Sequence, residues 1–322
     1  MSAVPSLLYT LYLMTYSDIK SILLPQTLFG ISNALAAPVF GVDSRTIPQP
    51  ASILSRLPLT ALWVWINLLL FTIENQRQTS SIEEDKLNKP WRPIPAGRIT
   101  QSQMESWRLR VYCAAFAVSY WIGGLVQCVA LMVSGYAYNN VGGGSKSALA
   151  RNLINSLGYI SFSTGAMEVA LGKTIFGLPC LSLTEMKHSF TLFRASPTEC
   201  ALLHQWFAVL ICILFCTTHA QDMEDQPGDA VRGRRTVPLV IGDLPARVSI
   251  CSSVGLCSAL CSWFWSPGAW VSGFVVGLAA VVGLRTMVFR SVRADKKTFL
   301  IWNAWLSSLY LLPFWTWCAG GL

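Results

Sequence analysis

The chain has 322 residues and a formal net charge of +8, with 53% hydrophobic side chains and only 12% charged ones. A water-soluble domain carries roughly 25% charged residues, so this composition excludes an ordinary soluble fold and indicates a membrane protein. Most cysteines lie within apolar runs, as Cys212 and Cys216 do, which indicates helix packing and not a disulfide framework.

Nine apolar segments follow one another along the chain, each near the roughly 20 residues that cross a bilayer as a helix. The first seventeen residues precede them and are expected to lie at the membrane surface, without a cleaved signal peptide. The segments are predicted near 21–40, 58–75, 107–121, 123–139, 152–172, 201–220, the two halves of 248–284, and 298–322, with breaks at 123–124 and 266–268. The predicted fold class is an all-α membrane protein, with one domain over residues 1–322.

Lysine and arginine are concentrated on one side of these segments. The loops after segments two, four, six and eight, which share the side of the N-terminus, carry most of them. The opposite loops hold only Arg45, Arg56, Lys173, Lys187 and Arg194. Because basic loops remain in the cytosol, the N-terminal side is predicted to be cytosolic, and the endoplasmic reticulum is the expected membrane.

Two loops on this predicted cytosolic side repeat one order of charges, acids followed by bases. After the second segment, "ENQRQTSSIEEDKLNKPWRPIPAGRIT" (74–100) carries Glu83, Glu84 and Asp85 just before its basic residues. After the sixth, "DMEDQPGD" (222–229) precedes "VRGRRTVP" (231–238). A solvated loop at a bilayer edge explains one such cluster. Two clusters, each followed by basic residues, indicate a functional site.

The second cluster has helical spacing. Asp222, Asp225 and Asp229 recur at offsets of three and four, which places them on one face of a helix end. Pro227 and Gly228 predict that the helix stops or bends within the motif, which would aim the last carboxylate separately.

Facing carboxylate clusters suit the ionisation of a diphosphate. Mg²⁺ prefers oxygen ligands and shares its coordination between carboxylates and substrate phosphate, and arginine adds bidentate contacts to the same oxygens. Together these groups neutralise the charge that develops as a carbon–oxygen bond breaks. An apolar bundle beneath the site would house a long hydrocarbon chain.

The two motifs resemble those of the UbiA superfamily of intramembrane prenyltransferases. "DMEDQPGD…GRRTVP" resembles the second aspartate-rich motif, D-x-x-D-x-x-G-D followed by G-R-K-T. "EDKLNKPWRPIPAGRIT" resembles the end of the first motif, D-x-x-N-K-P-x-R-P-x-P-x-G. The resemblance covers nearly the whole chain, and it implies an all-helical, Mg²⁺-dependent bundle whose central cavity receives an isoprenyl diphosphate.

The first motif departs from the family pattern N-D-x-x-D-x-x-x-D. Asp85 fills its last acidic position, whereas Ser81 and Gln78 stand at the two earlier ones. If Asn75 is the motif's Asn, the loop is two residues longer and Gln76 replaces the usual Asp. This form, "NQ…EEDKLNKPWRPIP", resembles the fungal branch of the superfamily, which contains membrane-bound terpene cyclases.

The charge pattern and the resemblance together define the predicted site. The expected Mg²⁺ ligands are Asn75, Glu84, Asp85, Asp222, Asp225 and Asp229, and the catalytic acids among them are Asp85, Asp222, Asp225 and Asp229. The diphosphate is assigned to Lys89, Arg92, Arg232, Arg234 and Arg235, with a structural role as the alternative for Arg92.

The favoured function is a class I terpene cyclase that ionises a prenyl diphosphate, expected to be farnesyl diphosphate, and closes it to a sesquiterpene. The alternative is a UbiA-type prenyltransferase with an aromatic or polyketide acceptor, which needs a second pocket and usually a base. A transporter or channel would carry charge along its spans, where Glu168 is the main exception to their apolar character. Membrane lipid is an expected partner and nucleic acid is not, and the oligomeric state is not predicted.

Overall fold

The computed structural model describes residues 3–42, 44–174 and 201–320. Throughout these ranges the regular structure is helical, and they contain no β-strand, so the predicted all-α class is confirmed. Lys187 and Arg194, which entered the prediction of orientation, lie outside the described residues.

The first part of the chain forms α1 to α8. Their bounds are Ala3–Thr15, Leu24–Leu35, Pro50–Ser55, Leu57–Gln76, Thr79–Asn88, Gln101–Ile122, Leu125–Asn139 and Ala148–Leu171. A 3₁₀ turn at Tyr16–Asp18 and a π turn at Ile19–Leu23 join α1 to α2.

The second part forms α9 to α15. Their bounds are Ala201–Thr217, Asp222–Arg232, Val237–Ile241, Asp243–Trp265, Ala269–Val288, Val292–Tyr310 and Leu312–Cys318. A 3₁₀ turn at Thr218–Gln221 separates the apolar α9 from the acidic α10.

Four helical stretches within the described ranges are long and apolar enough to cross a membrane. They are Leu57–Gln76, Ala201–Arg232, Asp243–Trp265 and Ala269–Val288. The other predicted segments are helical too, but their helices are shorter or more polar. The count of nine crossings is therefore not confirmed and stays a prediction.

Both predicted breaks between paired segments are present. Helix α6 ends at Ile122 and α7 begins at Leu125. Gly124 between them has a φ of 75°, and a Cβ there would lie 2.7 Å from the indole of Trp63, so backbone conformation and packing both require glycine. The second break falls between the end of α12 and the start of α13, as expected from the sequence at 266–268.

The structure adds a helix to the first acidic loop and corrects one prediction about the second. Within 74–100, Thr79–Asn88 forms α5 and carries the first acidic cluster. Helix α10 continues through Pro227 and Gly228, and the break lies before the motif, in the 3₁₀ turn. Pro227 is the sixth of the eleven residues of α10, so the helix continues through an interior proline and lacks the hydrogen bond that this residue cannot donate.

A buried arginine ties α10 to the helices around it. Arg247 of α12 donates to both carboxylate oxygens of Asp295 on α14, each at 2.8 Å, and to the Thr286 carbonyl of α13 at 2.9 Å. It also donates to Asp243 at 2.8 Å, whose other oxygen accepts a bond from Gln226 of α10 at 3.2 Å. The acidic helix is thereby held in place by a polar cluster.

We expect Asp295→Ala to destabilise the protein much more than Asp243→Ala, although both remove a carboxylate from Arg247. Loss of the buried Asp295 leaves a buried guanidinium without its bidentate partner, which costs about 3–5 kcal/mol. The Asp243 side chain is 41% exposed, so water compensates for its loss. That substitution should cost about 1 kcal/mol or less. Thermal unfolding in detergent measures the difference, and equal melting temperatures would contradict it.

Candidate active site

The two acidic motifs contact each other directly through α5 and α10. Lys89, just after α5, places its ammonium 2.9 Å from the Asp225 carboxylate, and the Asn88 amide donates to the Asp225 carbonyl at 3.2 Å. Arg234 donates through one nitrogen to Glu84 at 2.9 Å and to Asp229 at 2.8 Å. The sequence prediction that these motifs meet agrees with this geometry.

The glycine of the second motif permits the close approach of the two helices. A Cβ on Gly228 would lie 2.3 Å from the side-chain nitrogen of Asn88. Such a contact is impossible without a shift of one helix or of the Asn88 side chain. Gly228 is therefore explained by packing and not by the helix end that the sequence suggested.

Glu84 sits between two arginines that follow the second motif. Its two carboxylate oxygens accept bonds from Arg232 and Arg234, each at 2.9 Å. Burial raises the pKa of Glu84, but the charges of Arg234, Lys89 and Arg232 outweigh burial and hold it below its usual value. Glu84 therefore stays a carboxylate at neutral pH.

Asp85 is paired with Arg92, one of the residues assigned to the diphosphate. Arg92 donates through one nitrogen to both Asp85 oxygens, at 2.8 and 2.9 Å, and its other terminal nitrogen lies 4.0 Å from Asp18. Burial lowers the pKa of Arg92, but the charges of Asp85 and Asp18 raise it above its usual range. The contacts of Arg92 in this structure match the structural role that the sequence left open.

Asp222 is held by an arginine that sequence reasoning counted only as a loop charge. Arg151, near the start of α8, donates to Asp222 at 2.7 and 3.1 Å. The same guanidinium donates to the Tyr138 hydroxyl and, at 3.1 Å, to the Gly144 carbonyl. Its partner is 71 positions away in the chain, so no local spacing marks Arg151 as a site residue.

A cavity of about 490 Å³ opens beside these pairs. Charged residues from four parts of the chain line it, namely Asp18, Lys20, Lys89, Glu224, Asp225 and Lys296. Glu224 interacts electrostatically with Asp225 and all three lysines, which indicates that these charged residues lie close together. Apolar side chains form the other part of the lining, including Leu68, Phe71, Leu131, Phe162 and Phe299. The cavity therefore joins a charged region to a hydrocarbon-like one.

Lys20, Lys296 and Asp18 belong to neither motif and were missed by sequence reasoning. Lys20 lies on the π turn and Lys296 on α14, and in the described part of the chain neither is ion-paired. The Lys296 ammonium lies 5.9 Å from the centre of the Trp91 ring. Single π turns within helices are frequent at functional sites, but the sequence contains no signal for this one.

The motif carboxylates are the type of ligand that a divalent cation binds, but they are not arranged as a preformed metal site. Among the residues described, no three histidine, cysteine or acidic side chains are placed to hold a metal ion. Lysine and arginine contact most of the motif carboxylates, but Oε2 of Glu224 and Oδ2 of Asp229 are buried without a hydrogen-bond partner. Buried oxygens of this kind are costly without a partner, and oxygen is the donor that Mg²⁺ prefers.

In the described part of the chain, two predicted site residues make no hydrogen bond or ion pair with these carboxylates. The Asn75 side chain, near the end of α4, is half-buried and has no hydrogen-bond partner in the described ranges, while its neighbour Glu74 belongs to a separate cluster with Arg77. Arg235 is exposed, and its backbone N–H donates to the Ser145 carbonyl at 2.8 Å. Both assignments remain predictions without support from the geometry.

Comparison with known proteins places these motifs in a family. Residues 48–309 match the model of the UbiA prenyltransferase family. The chain is 28% identical over 271 residues to fumagillin beta-trans-bergamotene synthase of Aspergillus fumigatus, covering 83% of this chain and 78% of that protein. It is 24% identical over 290 residues to polyprenyl transferase eriF of Hericium erinaceus, covering 90% and 88%.

The fold is also that of a solved structure. A UbiA homolog from Archaeoglobus fulgidus, bound to GPP and Mg²⁺, aligns with a TM-score of 0.59 at 11% identity. The alignment covers 94% of this chain and 98% of that one.

We expect Gly228→Val to destabilise the protein by about 1–3 kcal/mol, because the new side chain overlaps Asn88. Gly255→Val is the matched control, since a Cβ on this helical glycine meets no atom within 4 Å. Asn88→Ala removes the obstacle, so the double variant should lose less stability than the two single losses added together. Thermal unfolding in detergent measures the wild type and all four variants, and strictly additive losses would show that the two side chains do not compete for this space.

Proposed function

Because the chain belongs to the UbiA prenyltransferase family, we propose that it is a membrane-bound class I terpene cyclase. The proposed reaction ionises a prenyl diphosphate, farnesyl diphosphate in the first instance, closes the chain to a cyclic sesquiterpene and releases diphosphate. The observation that carries the proposal is one cavity that three lysines, three acids and a set of apolar side chains line together. We also propose that residues 1–322 form one domain. The proposed location is the membrane of the endoplasmic reticulum, with both motifs facing the cytosol.

The charged part of the cavity suits the diphosphate. Lys20, Lys89 and Lys296 line it from three different elements and offer up to three donors each to phosphate oxygens. Arg232 and Arg234 both donate hydrogen bonds to Glu84. The charge of Lys89 also acts on this carboxylate, so the three basic residues lie near one another. Fixed positive charges stabilise the leaving diphosphate as the carbon–oxygen bond breaks, because they act in a site from which water is largely excluded.

The acids of both motifs are the proposed Mg²⁺ ligands, with Asp222, Asp225, Asp229, Glu84 and Asp85 in that role. When bound, Mg²⁺ neutralises diphosphate charge and makes diphosphate a better leaving group. The unpartnered Oδ2 of Asp229 supports this assignment. Arg92 and Arg151 are proposed to position Asp85 and Asp222.

The apolar part of the cavity suits a reactive hydrocarbon. Its lining excludes water, which would otherwise quench the cation that ionisation forms. Phe71, Phe162 and Phe299 add aromatic faces, and a cation over such a ring gains about 0.5–2 kcal/mol. A chain folded against these walls brings a distal double bond towards the reacting carbon.

A second candidate function is transfer of the prenyl group to an aromatic or polyketide acceptor. The similarity to polyprenyl transferase eriF favours it, since that protein matches most of this chain. Both functions share the ionisation step and differ in what attacks the cation.

We expect purified protein in detergent or membranes, given farnesyl diphosphate and Mg²⁺ alone, to release a cyclic sesquiterpene. Gas chromatography with mass spectrometry identifies the product. A parallel reaction adds candidate phenolic acceptors. Only farnesol in the first reaction, together with a prenylated acceptor in the second, would replace the cyclase with the transferase.

We expect Asp225→Asn to lower turnover about a thousandfold, equivalent to roughly 4 kcal/mol of lost transition-state stabilisation. The substitution keeps the shape of the side chain but removes a charge that lines the cavity and contacts Lys89. Glu83→Gln is the matched control, because Glu83 is exposed and pairs only with the exposed Lys86. The control should retain activity. Near-normal turnover of Asp225→Asn at saturating Mg²⁺, or equal losses in both variants, would contradict the assignment.

A further inference from the structure

The wall that α8 contributes to the cavity lacks a side chain at one position. Ile154, Asn155, Gly158, Tyr159 and Phe162 all line the cavity. Their spacing of three and four places them on one face of the helix. Gly158 lies one turn from Ile154 and one turn from Phe162, and leaves a gap in an otherwise continuous stripe.

Neither packing nor backbone conformation accounts for this glycine. A Cβ on Gly158 would meet no atom within 4 Å, whereas on Gly165 of the same helix it would lie 2.0 Å from the ring of Trp63. Gly158 has the ordinary helical backbone, and it is not among the glycines with positive φ. Glycine weakens the interior of a helix relative to alanine, so the position gives up local stability without gaining a close contact. What Gly158 provides is empty volume on the cavity face.

The position of Gly158 along α8 relates this volume to the substrate. Arg151, which binds Asp222 of the acidic motif, lies seven residues before Gly158 on the same helix. At 1.5 Å per residue, the two positions are about 10 Å apart along the helix axis. A ligand whose diphosphate bound near the acidic motif would therefore place its hydrocarbon part beside Gly158.

We infer that Gly158 is a specificity-determining residue: the space beside it receives part of the prenyl chain, and the side chain at this position sets the longest chain that fits. The inference rests on the proposed function only in taking a prenyl diphosphate as the ligand. It applies to a cyclase and to a transferase alike, because both must house the chain.

The test uses unreactive thiolodiphosphate analogues of geranyl, farnesyl and geranylgeranyl diphosphate, with binding to the full-length protein measured by calorimetry. Gly158→Ala, Gly158→Val and Gly158→Phe form a graded series. Gly277→Phe in α13 is the matched control, since Gly277 is an exposed helical glycine outside the cavity and a Cβ there also meets no atom within 4 Å. Melting temperatures of all variants establish that each is folded.

We expect Gly158→Phe to weaken binding of the farnesyl and geranylgeranyl analogues at least about tenfold, with the geranyl analogue little changed. Smaller substitutions should affect the longest analogue first, and Gly277→Phe should bind all three as the wild type does. Equal losses for all chain lengths, unchanged binding in every variant, or no binding of any analogue would overturn the inference. Turnover is scored separately. A length-dependent loss of binding, in a protein that forms no cyclic product from a prenyl diphosphate alone, would keep the inference and reject the cyclase.

Discussion

Charges buried beside an apolar helix bundle are stable only when each has a partner of opposite charge, and this constraint organises the site. The acidic helix α10 and the helix α5 meet because basic residues lie between their carboxylates. The pairs are Glu84 with Arg232 and Arg234, Asp85 with Arg92, Asp222 with Arg151, Asp225 with Lys89, and Asp229 with Arg234. The order of acids before bases in both motifs is the sequence counterpart of this pairing.

The same constraint explains which parts of the site the sequence predicts. Matched charge order predicts that the two motifs meet, and the Lys89–Asp225 contact agrees with it. Helix α5 escapes prediction because it is short and polar and lacks an apolar period. Arg151 escapes because its partner is distant in the chain, and Lys20 because the π turn that presents it has no sequence signal.

The fold class and the breaks between paired helices were predictable for simple physical reasons. Long charge-free runs must be helical in a bilayer, and glycine or proline interrupts them where the backbone turns. Asn75 and Arg235 were assigned from their positions in a motif, and position along the chain does not fix where a side chain points, so both assignments remain predictions. The break expected at Pro227 was wrong because α10 continues through this interior proline, and the contacts of α10 with Lys89 and Asp243 offset the hydrogen bond that proline cannot donate.

Because its acids and bases are paired with one another, this region does not depend on a bound metal ion or substrate in order to fold. In small metal-stabilised domains the ligands repel one another until the ion arrives, so the ion is part of the folding reaction. Here Arg234 pairs with one carboxylate of each motif, and Arg151 pairs with Asp222. Most carboxylates of the two motifs therefore have a basic partner within the protein before any ligand enters. Product can leave without exposing a set of mutually repelling carboxylates, and the protein can pass through repeated cycles with its two motif helices still joined.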